Sequence, residues 1–145
     1  MIKEEFLAMS LPHNLKYIDL QCEPDDNLCL MTGIQDGLVC DEQGNFNCKP
    51  KDCLPILRPL SDLTKEITHK GEAFVPIEKL YHLDIMRCDI SSFESINIDV
   101  VADHIFSNQF LKFTLKLIEW HFDLFGGIDS GEAINVNTLD KNPYK

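Results

Sequence analysis

Positive charge is scarce in this chain, and almost all of it comes from lysine. Thirteen basic side chains face 24 acidic ones for a formal net charge of -11, and the only arginines are Arg58 and Arg87. A field of that sign repels phosphate backbones and anionic bilayers, which argues against direct nucleic-acid binding and against membrane attachment through a basic surface. The deficit is even: 10 acids and 5 bases lie in residues 1 to 60, 14 acids and 8 bases in residues 61 to 145, so no basic tail stands apart. Long apolar runs are missing too, none nearing the ~18 residues of a membrane span. Met1 to Phe6 reads MIKEEF, with two glutamates where a secretory leader has a positive start and then an apolar run. The expectation is a cytoplasmic protein.

Catalytic and cofactor signatures are also lacking. No Gly-x-Ser-x-Gly elbow accompanies the serines and histidines, and neither GxxxxGK nor GxGxxG offers a phosphate cradle. Cys22, Cys29, Cys40, Cys48 and Cys53 are separated by six, ten, seven and four residues, and Cys88 lies far beyond. That spacing provides no Cys-x-x-Cys knuckle for a tetrahedral metal, so the six thiols read as free cysteines in a reducing compartment. Asp19, Glu23, Asp25 and Asp26 lack the oxygen spacing and glycine of a calcium loop. The sequence therefore calls for no metal and no cofactor.

What is present is the composition of a folded domain: 145 residues, 44% hydrophobic and 26% charged. It reads as one α+β domain over 1–145, with 1–60 mainly β and 61–145 mainly α before a short C-terminal strand. Gly, Asn and Asp punctuate the first third, and the short apolar runs between them predict a small antiparallel sheet within 14–58. Asp36-Gly37 marks a tight hairpin. Ser61-Asp62 predicts the cap of a short helix, SDLTKEI, closed by His69-Lys70-Gly71. Pro76 opens a second short helix, whereas 86–106 has no clear reading. The most regular segment is 107–127. Phe106, Phe110, Phe113, Leu117, Trp120 and Leu124 recur at threes and fours, predicting one longer helix with a buried face, stopped by Gly126-Gly127. AINVNTL then alternates as a strand, and DKNPYK reads as a polar tail.

The candidate site residues are Trp120, His121 and Asp123, together with Arg58. On a helix His121 and Asp123 point about 200° apart, so they form no catalytic pair unaided. A cationic imidazole near a helix C-terminus is favoured by the macrodipole, the expected reason for His121, and Trp120 continues the apolar face. The expected role of WHFD is thus mainly structural. Arg58 is expected in an ion pair.

Two stretches, KPKDCLPILRPLSDLTKEI and IEWHFDLFGGIDSGEAINVNTLDKNPYK, resemble segments of small phage- and prophage-encoded proteins of Bacteroidetes that have no known activity. The likeness covers residues 55 to 67, 71 to 78 and 119 to 137, with Gly127 and Glu132 standing where apolar residues are usual. It implies a mobile-element origin and a shared fold, but transfers no functional residue. Three functional readings follow. The first is a non-catalytic accessory protein, monomer or homodimer, that binds a protein partner in the host cytoplasm. The second is an acidic DNA mimic that occupies a nucleic-acid-binding protein. The third is a small enzyme using His121 or His104, which would require a cleft joining them.

Overall fold

The computed structural model of the chain describes residues 2–45, 48–88 and 98–145. In chain order the elements are α1 (Lys3–Ser10), β1 (Lys16–Asp19), β2 (Leu28–Leu30), β3 (Gly33–Gln35), β4 (Leu38–Cys40), β5 (Cys53–Leu57), β6 (Ile67–His69), β7 (Glu72–Phe74), α2 (Pro76–His82), α3 (Ile98–Ala102), α4 (Phe110–Glu119), α5 (Gly127–Ser130) and β8 (Ile134–Asn135). The architecture is α+β, as the composition and turn pattern predict. Among the described residues no helix is long and apolar enough to cross a membrane.

The first strands build an antiparallel sheet, to which β8 adds a parallel edge, in the order β2-β1-β5-β8. Tyr17 on β1 lies opposite Cys29 on one side and Pro55 on the other, and Ile56 of β5 pairs with Ile134. The β3–β4 hairpin turns at Asp36 and Gly37, whose φ values of 51° and 75° are the doubly left-handed turn that the Asp-Gly step favours. α1 is an element that the sequence reading did not assign. Glu4 and Glu5 in its first turn suit the helix dipole, and the Glu5 carboxylate accepts the Ile2 amide at 3.3 Å.

Three predictions for the second half need correction. SDLTKEI is not one helix: a 3-10 turn covers Leu60–Thr64, and Ile67–His69 is strand β6. Lys70-Gly71, read as a helix stop, is the turn of the β6–β7 hairpin, with φ values of 50° and 80°. The long helix shrinks to ten residues in α4. Residues 86–106, left unassigned, hold α3, and Met86 bridges Ile105; Asp89 and Glu94 lie outside the described residues.

Two apolar clusters make up most of the core. Leu63, Ile77, Leu80, Phe113, Leu117, Trp120 and Phe122 pack in one, while Phe6, Leu7, Leu15, Tyr17, Val39, Leu57 and Ile118 pack in the other. α4 joins them, because adjacent Leu117 and Ile118 enter different clusters. Its C-terminal end is therefore fixed from two sides, and that end carries the WHFD segment.

Candidate functional site

α4 stops at Trp120, and the residue that stops it is His121 rather than Gly126-Gly127. His121 takes the left-handed conformation at φ 62°. Its amide donates to the Ile118 carbonyl at 3.0 Å, and the Phe122 amide donates to the Leu117 carbonyl at 2.9 Å. These are the two bonds of a Schellman cap, completed by the shared cluster of Phe122 and Leu117. The position normally favours glycine, and a side chain there costs about 1–2 kcal/mol. Leu124 then falls beyond the helix, and the predicted apolar face breaks up. Phe113, Leu117 and Trp120 are buried, but Phe110 at the first helical residue is 55% exposed and Phe106 is 38% exposed.

Arg58 and the WHFD segment, distant in sequence, meet here. β5 runs on through Arg58, which bridges Phe122 in parallel: the Arg58 amide donates to the His121 carbonyl at 2.7 Å and the Asp123 amide donates to the Arg58 carbonyl at 2.9 Å. The Arg58 guanidinium is buried. Its Nε donates to the Trp120 carbonyl at 3.1 Å and its Nη2 to the Thr68 carbonyl at 2.9 Å. The expected ion pair is absent, since among the described residues Arg58 makes no salt bridge. The reason is geometric. The side chain reaches the C-terminal end of α4, where carbonyls without helical partners collect, and a cation is favoured there by charge and by hydrogen bonding. Burial nevertheless pulls the guanidinium pKa below its usual value, with Tyr144 and Asp62 opposing.

The other two candidates have structural partners. Asp123 accepts the Gly127 and Ile128 amides at 2.9 Å each, which fixes the start of α5 and occupies both carboxylate oxygens. Trp120 is 2% exposed and its ring lies 5.0 Å from that of Phe74. His121 therefore has no carboxylate partner in Asp123. Its ring stacks on Tyr144 at 4.0 Å between centroids, with 29° between planes. His104 is held elsewhere, with Nδ1 3.0 Å from the Val100 carbonyl, and it does not line the cavity beside His121.

That cavity, about 140 Å³ in volume, is bordered by His13, His69, Lys70, His121 and Tyr144 among others. His69 and His121 meet edge to face at 5.3 Å. They are 5% and 1% exposed, and among the described residues His121 Nδ1 and both His69 ring nitrogens have no hydrogen-bond partner. Burial, then the charges of Arg58 and Lys70, pushes His69 down to about 4, with Glu119 acting the other way. Burial, then His69 and Arg58, likewise holds His121 well below the usual histidine value. Both rings are neutral near pH 7, so His121 is not the cationic imidazole expected at the helix end: burial outweighs the dipole.

Tyr144 corrects the reading of the tail. The ring is 6% exposed, its hydroxyl donates to the Ile56 carbonyl at 2.9 Å and accepts the Lys16 amide at 3.0 Å, and its carbonyl accepts the Lys70 amide at 3.0 Å. His69 and Tyr144 are the site residues that the sequence reading missed. The one available signal was an aromatic residue inside an otherwise polar DKNPYK.

A second feature lies on the outer side of α4. Leu111 is 66% exposed and Leu115 41%, and Leu115 joins Leu83 and Ile85 in a groove of about 480 Å³. His13, Lys112, Lys116 and Glu119 border this groove, with Glu119 held by Lys116 at 2.8 Å. The thiols are away from both features. Cys29, Cys40, Cys48 and Cys53 are buried, and burial raises Cys29 to about 11, which makes a thiolate there unfavourable. Among the described residues no group of three or more His, Cys, Asp or Glu is placed to hold a metal ion.

Comparison of the chain with protein-family models, with curated proteins and with solved structures finds no match in any of the three.

Proposed function

We propose that this protein is a non-catalytic accessory protein of a phage or prophage, working in the host cytoplasm by binding another protein through the outer face of α4. The observation that carries this reading is the exposure of Leu111 and Leu115 next to the Leu83–Ile85 groove. Large apolar side chains gathered on a surface are costly for a lone protein unless something covers them. The occupant that fits is an amphipathic segment of the partner with an acidic flank: apolar groups would fill the groove, and carboxylates would meet Lys112 and His13, since Lys116 is already engaged by Glu119. A second copy of the chain fits less well, because association would bring together two bodies that each carry -11.

The test places a photo-crosslinking residue at position 111 in lysogenic cells, purifies the captured protein and measures its affinity for the wild type and for Leu111→Asp/Leu115→Asp. The reading expects unchanged thermal stability in the double variant and an affinity loss of about tenfold or more, equivalent to ~1.4 kcal/mol. Equal affinity of the two proteins for the captured partner overturns it. So does a native mass spectrum showing a dimer that the double variant abolishes, or co-sedimentation with anionic vesicles that depends on the same two leucines.

A further inference from the structure

We propose that the cavity beside His69 and His121 is a binding site for a small tetrahedral oxyanion of the phosphate or sulfate type. The first support is unpaired hydrogen-bonding capacity. A neutral imidazole carries one N–H and one lone pair, so His69, with neither ring nitrogen partnered, leaves a buried donor without an acceptor in either tautomer. His121 Nδ1 is a third unpartnered nitrogen among the described residues, and both residues are more than nine-tenths buried and line the same cavity. Buried polar groups without partners are uncommon enough in folded proteins to call for an occupant.

Charge decides which occupant. The charged groups acting most on the two rings are Arg58 at the end of β5, Lys70 in the β6–β7 turn, Lys79 on α2, itself paired with Glu72 at 2.7 Å, His13 after α1 and Glu119 on α4, while the Tyr144 ring stacks on His121 from the tail. Glu119 is the one acid among these groups, and Lys116 already holds it. Lys16 and Lys145 also border the cavity, and among the described residues no carboxylate side chain does. In a chain with nearly twice as many acids as bases, a cavity so lined repels a divalent cation and attracts an anion. Its volume of about 140 Å³ admits an inorganic oxyanion. Lys70 is well placed at the mouth because the hairpin turn fixes its backbone, and the Tyr144 carbonyl holds its amide at 3.0 Å.

Binding would draw protons onto the histidines, because an adjacent anion favours imidazolium. Sulfate, whose own charge is constant near neutrality, should therefore bind more tightly as pH falls from 7 towards 6. The test titrates low-millimolar sulfate and inorganic phosphate as free-ion arms, and O-phosphoserine as the ester arm, into the full chain in chloride buffer of fixed ionic strength. Histidine ring 15N resonances and melting temperature are followed. The expected result is saturable movement of the His69 and His121 resonances with those of His82 and His104 unmoved, tighter sulfate binding at lower pH, and an affinity about tenfold weaker in Lys70→Gln. Saturation in either arm supports the site and identifies the form that enters it. Linear, unsaturable shifts, equal movement of all histidines, or full affinity in Lys70→Gln overturns the proposal. Lys70 is exposed, so its substitution leaves the core intact.

Discussion

Mild acid should destabilise this protein through two histidines, before its carboxylates are protonated to any extent. His69 is held near 4 and His121 well below its usual value, whereas each returns to about 6.5 when the chain unfolds. A group whose folded pKa is depressed below its unfolded one binds more protons in the unfolded state, so falling pH favours unfolding. The window runs from about 6.5 downward and, for His69, closes near 4. At pH 5 an unfolded histidine of pKa ~6.5 is almost fully protonated, and this favours unfolding by about 2 kcal/mol relative to pH 7. For His69 alone the loss is about 2 kcal/mol, or roughly 5 °C in Tm for a domain of this size, and His121 adds to it in the same direction. Urea unfolding followed by Trp120 fluorescence at pH 7, 6 and 5 measures it. His69→Gln, which cannot titrate, should remove that ~2 kcal/mol of pH dependence and leave only the part due to His121. A flat profile between pH 7 and 5, or ring resonances of His69 and His121 that titrate near 6.5 in the folded protein, would show that these imidazoles are not held neutral by burial.

Two further substitutions test the packing. Trp120→Ala removes the largest fully buried side chain from the cluster shared by Phe113, Leu117 and Phe122, and it should cost about 3–5 kcal/mol in a denaturant melt, as large-to-small core changes do. An unchanged midpoint would place Trp120 outside the core. Gly127→Ala puts a methyl group against the Phe125 ring and within 2.9 Å of the Ala133 Cβ, where overpacking costs about 1–3 kcal/mol. A neutral or stabilising effect in calorimetry would mean that Phe125 swings aside freely, despite its 5.3 Å ring contact with Phe6.

The parts of the fold legible in the sequence are those whose signals are local. Asp36-Gly37 specifies a hairpin because both residues accept positive φ, and Pro76 opens α2 because the first helical turn needs no amide there. Lys70-Gly71 misled because a left-handed pair ends a helix and turns a hairpin equally well. The three-residue strands on either side, Ile67–His69 and Glu72–Phe74, are too short for alternation to separate the two cases. His121 lies at a helix end, as its position predicts, but that it makes the end was not legible, since the left-handed cap is usually glycine and Gly126-Gly127 stood nearby. All four residues singled out in advance, Arg58, Trp120, His121 and Asp123, meet in one place, but through backbone bonds that no residue pattern encodes. The pairing of His69 with His121, and the closing of that corner by Tyr144, depends on long-range contacts and left no trace in spacing.

The same charges connect acid lability to the proposed anion site and make the two separable. Burial is the first cause of the depressed histidine values, and the cations Arg58 and Lys70 come after it. An anion in the cavity would cancel the second contribution but leave the first. If sulfate does not enter the cavity, the acid transition ignores it. If it binds beside the rings, sulfate shifts that transition to lower pH by stabilising the folded state alone. The shift would be partial, and it would be smaller in Lys70→Gln because one of the two cations would already be gone. Arg58 cannot be tested in the same way: its guanidinium also joins the Trp120 and Thr68 carbonyls, so removing it would leave two buried acceptors without their donor. The exposed lysine thus reports on the charge of the corner, while the buried arginine holds the corner together.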